Sequence, residues 1–273
     1  MKQKYIQDVI AALQFVIIVL SGKADMTSKL TTPPLRIKCF NSVAKRKFKN
    51  FCKQHLTSEN GRLRSWDSCY LFFQNNFDAL ASSKPSEELL QHAEAELGFY
   101  LASYGMYRSS TVLFHHNHSV YRPIIKRLFK VVSKQGIRPY EPIVSAETIK
   151  NLFNAIRAGF KESGLNIKSE RILFTKILMG VFGCIPAFDS IFKESINKFK
   201  SKNSKNTLIK QLTVGLKTGP QTWIDFANAP EVQEFFKDIC PEFIDENARV
   251  KKYPIMRVID LYFWSQEIGK NNL

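Results

Sequence analysis

The 273-residue chain carries few of the features that announce a chemistry. Its five cysteines, Cys39, Cys52, Cys69, Cys184 and Cys240, are odd in number and none belongs to a Cys-x-x-Cys pair. That spacing argues against a disulfide framework or a thiolate zinc site, and the five read as reduced, mostly buried thiols. There is no phosphate-binding glycine loop, no His-Glu-x-x-His pair and no Ser/His/Asp order, so the common nucleotide-hydrolysing, zinc-protease and serine-hydrolase chemistries have no footing. Three histidines, His115, His116 and His118, lie within four residues. They have no Cys, Asp or Glu at ligand spacing, so a polar loop is expected there, without a metal or cofactor. No stretch alternates apolar and polar residues as a half-buried strand would, and no repeat recurs at a fixed period.

Long apolar runs are also lacking. The longest candidate, residues 9–20, is broken by Gln14 and falls short of the about 20 residues that a membrane-spanning helix needs. Lys2 and Lys4 precede it and Gly22-Lys23-Ala24 follows, so it also has the outline of a signal segment, against which Asp8 counts. Several readings stay open for residues 1–24: an accessory or core helix, an exported or membrane-tethering segment, a true span, or an upstream start with Met26 opening the folded body. The cysteine usage points to the cytoplasm, with export or tethering through residues 1–24 as the alternative.

What is present is apolar mass and positive charge. Hydrophobic residues make up 44% of the chain and 22 are Phe, so a sizeable core is available and a folded chain is expected. Net charge is +16, from 40 basic and 24 acidic side chains, which points to an anionic partner, nucleic acid or an acidic membrane surface. The charge is uneven. Residues 1–60 carry 11 basic and 3 acidic side chains, and residues 151–217 carry 12 and 4. Residues 218–273 reverse the balance, with 6 and 9.

Apolar residues recur at helical spacing through most of the chain. Residues 1–35 form an apolar segment and a Pro33-Pro34 linker. Residues 36–273 are expected to form a single compact all-α domain of about nine or ten helices. Residues 42–56 read as a basic helix, with Val43, Phe48, Phe51 and Cys52 on one face. Lys45, Arg46, Lys47, Lys49 and Lys53 cover much of the rest, either as a solvated face or as a phosphate-contacting one. Residues 62–80 place Trp66, Tyr70, Phe73 and Phe77 on one stripe. Ser86 caps a helix expected to run to about Arg108, with a second half apolar almost all round. Arg108, at the end of that buried helix, must find an acceptor or a solvated pocket, and is a candidate site residue. Helices over residues 121–134 and 145–163, capped by Ser145, follow. Residues 207–217, 231–240 and 255–268 complete the set.

Residues 169–200 hold an apolar helix, a break at Gly183-Cys184-Ile185-Pro186 and a second helix opening at Asp189. A second basic zone, with Lys193, Lys198 and Lys200, follows. The carboxylates Asp67, Asp78, Asp189, Asp225 and Asp260 stand among apolar residues, and sequence alone pairs none of them.

The run from Thr175 through Gly183 and Asp189 to Phe192 resembles the helix–turn–helix around the catalytic aspartate of helix-hairpin-helix DNA glycosylases. The resemblance spans about 25 residues. It implies an aspartate at position 189 that supports base excision from flipped-out nucleotides. The family's Gly-x-Gly hairpin and preceding lysine are missing: Ser169-Glu170-Arg171-Ile172-Leu173-Phe174 stands there, and no four-cysteine cluster follows. The simpler role for Asp189 is an N-cap. Three further segments, 64–70, 101–108 and 253–256, are together similar to a bacterial protein family of unknown function. That likeness covers most of the chain after about residue 40 and implies no activity.

Three functions follow as expectations. One is nucleic-acid binding through Lys45, Arg46, Lys47, Lys49, Lys53, Lys193, Lys198 and Lys200. The second is a diverged base-excision-type enzyme using Asp189 and Arg108 as catalytic residues. The third is an interaction protein of a toxin–antitoxin or phage-defence system, its protein partner unknown. Membrane contact is expected of residues 1–24.

Overall fold

The computed structural model describes residues 37–57, 61–245 and 248–268. They belong to one compact unit, Arg36–Leu273. The readings of residues 1–35 lie outside the described residues.

The fold is all-α. Among the described residues there are twelve α-helices, ten of them seven residues or longer. They are α1 (Ser42–Leu56), α2 (Arg64–Asn75), α3 (Phe77–Ala81), α4 (Glu87–Ser103), α5 (Arg122–Lys134) and α6 (Ala146–Glu162). After these come α7 (Glu170–Phe182), α8 (Ser190–Lys202), α9 (Thr207–Gln211), α10 (Gly219–Asn228), α11 (Pro230–Phe236) and α12 (Ile255–Ile268). Two short 3₁₀ turns, Val112–His115 and His118–Tyr121, join α4 to α5.

The expected helices differ from the observed ones chiefly at their ends. The stretch 62–80 breaks at Asn76, so its aromatic stripe is shared between α2 and α3, with Trp66, Tyr70, Phe73 and Phe77 all buried. Helix α4 stops at Ser103, short of Arg108, because Gly105 takes a left-handed φ of 73°. Its second half is not apolar all round in effect: Phe99 is 64% exposed, while Leu97, Tyr100 and Leu101 are buried. Residues 207–217 give only the short α9. A two-stranded antiparallel hairpin, β1 (Glu242–Ile244) and β2 (Val250–Lys252), was not expected. Three-residue strands are too short to display a period of two.

Helix α7 is the centre. Every residue from Leu173 to Phe182 is buried. Trp66 of α2 donates its indole N–H to Met179 O at 2.8 Å, and Gln74 donates its amide to Val181 O at 2.9 Å, fixing α2 against α7. Helix α4 crosses at Gly180, where an added Cβ would lie 2.5 Å from the Tyr100 ring. Helices α5 and α6 are as close: a Cβ on Gly159 would lie 2.8 Å from Ile124 Cα.

The other half of the core is aromatic. Phe40 stacks on Phe235 with centroids 4.1 Å apart, and Phe48 and Phe236 meet Tyr262 edge-on. Phe192, Phe199, Trp223 and Phe226 surround Phe263. Each ring buries a large apolar area and each tilted contact adds about 0.5–1.5 kcal/mol. This cluster seats α1, α8, α10 and α11 on α12. It therefore holds the two basic zones of the sequence against one helix.

Candidate polyanion groove and buried charge cluster

Helix α1 starts at Asn41, whose Oδ1 accepts from Ala44 N at 2.9 Å. Its one fully buried side chain, Phe48, anchors it to the aromatic core, which turns Arg46, Lys47, Lys49 and Lys53 to solvent. Helix α8 starts at Asp189 and presents Lys193, Lys198, Lys200 and Lys202 over its length. Between α1, α8 and α12 runs a groove of about 740 Å³. Lys38 and Lys47 line one side, Lys198 and Lys202 the other. Beyond Lys38 and Lys202 a smaller hollow of about 80 Å³ continues to Lys205. The two basic zones, far apart in sequence, thus meet across one depression.

The lysines are not equivalent. Lys198 is neutralised by Glu194 at 2.5 Å and Glu267 at 2.7 Å, which hold its amine above the ordinary lysine range. Lys200 donates to Leu212 O at 2.7 Å and closes the α8–α9 corner. Lys45 reaches Asp238 at 3.5 Å, on the acidic part of the chain. Lys38, Lys47 and Lys202 are exposed and have no ion pair among the described residues. The aromatic floor, Phe199, Tyr262 and Phe263, is at most 6% exposed, so it offers no stacking platform. Free charge at the rim and no accessible rings suit contacts to phosphates rather than to bases.

Of the candidates named from sequence, Lys47 and Lys198 line the groove. Arg46, Lys49, Lys53 and Lys193 stand exposed outside its lining. Lys38 is not marked by the sequence. It sits before α1, and nothing local distinguishes it except the zone's charge.

Asp189 caps α8 as the simpler reading has it: its Oδ1 accepts from Phe192 N at 2.9 Å. Its second oxygen lies 3.6 Å from the amine of Lys176, which is buried in the middle of α7. Lys176 also donates to Tyr104 O at 2.8 Å, the carbonyl that ends α4. Burial lowers the Lys176 amine from the ordinary lysine range, against the opposing pull of Asp189 and Asp260. The charge of Arg108 pushes the same way as burial, so Arg108 and Asp189 both act on Lys176. Arg108 itself is exposed, folded over Gly105, because α4 ends before it.

Behind this pair lies Asp260 of α12. One carboxylate oxygen accepts from Ala187 N at 2.9 Å in the break after α7, and the other binds Arg257 at 3.0 Å. Arg257 is 1% exposed, sits 4.8 Å over the Trp66 ring and donates to the Tyr104 hydroxyl at 2.9 Å. Burial pushes the Asp260 carboxyl up to about 6, against Arg257. Further in, Asp67 accepts from the Tyr253 hydroxyl and lies 3.0 Å from Arg64. Buried ions of this kind persist only when each finds a partner, and here one network ties α2, α4, α7, the break and α12 together. Neither Asp189 nor Arg108 lines any of five prominent cavities among the described residues.

His118 approaches the buried carboxylate of Glu94 at 3.3 Å, beside Arg122. Among the described residues no cluster of three His, Cys, Asp or Glu could hold a metal ion, and no helix is long and apolar enough to cross a membrane.

Comparison with known protein families, with curated proteins and with solved structures finds no match.

Proposed function

We propose that the protein binds nucleic acid through its phosphate backbone, along the groove between α1 and α8. The observation that carries this reading is the meeting of Lys38, Lys47 and Lys202, all free of ion pairs among the described residues, across one depression about 740 Å³ in volume. A formal charge of +16 supplies long-range attraction, and the acidic residues after 218 bias which face approaches. With the aromatic rings buried, the reading gives no sequence preference, and duplex and single strand should bind comparably. Fluorescence anisotropy with labelled duplex and single-stranded oligonucleotides at low and moderate salt tests it. Binding that weakens steeply with salt supports the reading. No binding at low salt, or affinity indifferent to salt, removes it.

A second reading, a diverged base-excision-type enzyme, is favoured by Lys176. Its amine is held below the usual lysine range by burial and stands 3.6 Å from the Asp189 carboxylate. Such an amine, once it has lost its proton, can add to the C1′ aldehyde of an abasic sugar and lose water to give a Schiff base. The sugar would have to reach an amine now covered by Tyr104 and Asp189. Borohydride trapping on an oligonucleotide with an abasic site decides: a covalent adduct that disappears in Lys176→Ala supports this reading, and no adduct removes it.

A further inference from the structure

A second cavity, about 450 Å³, opens where α7 ends. Its inner wall is Phe182, Gly183 and Cys184, and its other walls come from α2, the loop 140–144, α10, the hairpin and the start of α12. The volume lies in the range of small-molecule sites, and the lining is mostly apolar with a few polar groups at the rim. Cys184 is buried and its thiol is pushed up to about 12, so it contributes a neutral surface.

Tyr140 forms one wall under strain. Its φ is +62°, a left-handed conformation that costs a non-glycine residue of order 1 kcal/mol. The surroundings over-determine it. Its backbone N–H donates to Gln74 Oε1 at 2.6 Å, and its hydroxyl donates to Asn75 Oδ1. Gln74 is itself buried and anchored to α7 through Val181 O. The pinned ring meets Tyr70 edge-on, with centroids 6.1 Å apart.

The hairpin brings a cation to this ring. Lys251 pairs with Phe243 across the strands, so both side chains leave the same face, and Phe243 stacks on Tyr140. The Lys251 amine lies 5.3 Å from the Tyr140 ring centre; Lys252 also borders the cavity, but it pairs with Glu242 on the other face of the hairpin. The acidic side chain in the lining, Glu141, is turned into its own loop, where it accepts from Arg138 N at 3.0 Å. Neither lysine has an ion pair among the described residues. Lys251 therefore gives the mouth a cation, and the interior is mostly apolar.

We propose that this cavity is a binding site for an aromatic small molecule bearing one anionic group, the ring system against Tyr140 and the anion at Lys251. The site is independent of the polyanion groove and uses none of its residues.

The test uses the full chain and two dyes of similar shape, anionic 8-anilinonaphthalene-1-sulfonate and uncharged N-phenyl-1-naphthylamine. Wild type should bind the sulfonate saturably, one per chain, and at least fivefold more tightly than the neutral dye. In K251M, whose change lies at the rim, that preference should vanish while the neutral dye still binds. In Tyr140→Gly, which keeps the left-handed backbone at no cost, sulfonate affinity should fall at least tenfold. Each variant is checked for a cooperative thermal transition, so that dye uptake by a loosened core is not counted. No saturable site in wild type, or an anion preference that survives in folded K251M, overturns the proposal.

Discussion

The backbone N–H of Lys38 donates to the side-chain oxygen of Asn203 at 2.9 Å. Asn203 is 4% exposed, and its amide donates in turn to Phe199 O at 2.9 Å and approaches Cys39 Sγ at 3.2 Å. One side chain at the end of α8 therefore fixes the chain entering α1, and with it the spacing of Lys38 and Lys202 across the groove.

Asn203→Ala should uncouple those two segments without changing charge. Loss of a buried, multiply bonded amide costs about 1–3 kcal/mol, read as a lower urea midpoint. If the groove is the binding surface, nucleic-acid affinity should fall severalfold while its salt dependence stays, since every lysine remains.

Gly159→Ala should destabilise the protein more than an ordinary helix substitution. The new Cβ meets Ile124 Cα and N at 2.8 Å, and backbone cannot rotate away as a side chain can. Separating α5 from α6 should cost about 1–3 kcal/mol or more, against the small gain that alanine brings to a helix. Chemical denaturation measures it, and an unchanged or raised midpoint would show that the helices can part freely.

Asp260 should leave a signature in stability against pH. Burial raises its folded carboxyl to about 6, above the about 3.9 of an unfolded aspartate. Between these values the folded state holds more protons than the unfolded one, so stability falls as pH rises from about 4 to 6 and is flat above. The span corresponds to about 3 kcal/mol. Asp260→Asn cannot titrate, so the difference between wild type and variant should decline through that window. Parallel curves would contradict the placement of Asp260.

Much of the fold is legible in the sequence because it rests on local rules. The stripe Trp66, Tyr70, Phe73 and Phe77, the caps at Ser86, Ser145 and Asp189, and the stop at Gly183 each follow from residue type and spacing. The sites are less legible because they are made across the chain. Lys176 carries a signal, as the one charged side chain in the apolar run 172–182, but its partner becomes visible only when α8 folds back. Of the two roles posed for Asp189, the helix cap is made through one oxygen, while the other faces Lys176 and the residue lines none of the five prominent cavities among the described residues. Lys38 and Lys202 need the aromatic core that seats α1 and α8 on α12. The left-handed Tyr140 has no local cause, because its strain is held by Gln74 and Asn75.

The central claim is tested most directly by the slope of log affinity against log salt for a labelled duplex, compared between wild type and K38A/K47A/K202A. Every lysine that no longer neutralises a phosphate should flatten the slope by about one unit, so the triple variant should lose about two to three and bind at least tenfold more weakly at low salt. A control, K126A/K130A/K134A on α5, removes equal charge, with Lys130 and Lys134 lining a different groove, and should keep the wild-type slope. If the groove variant keeps that slope, or both triples flatten it equally, the binding surface is not the groove between α1 and α8.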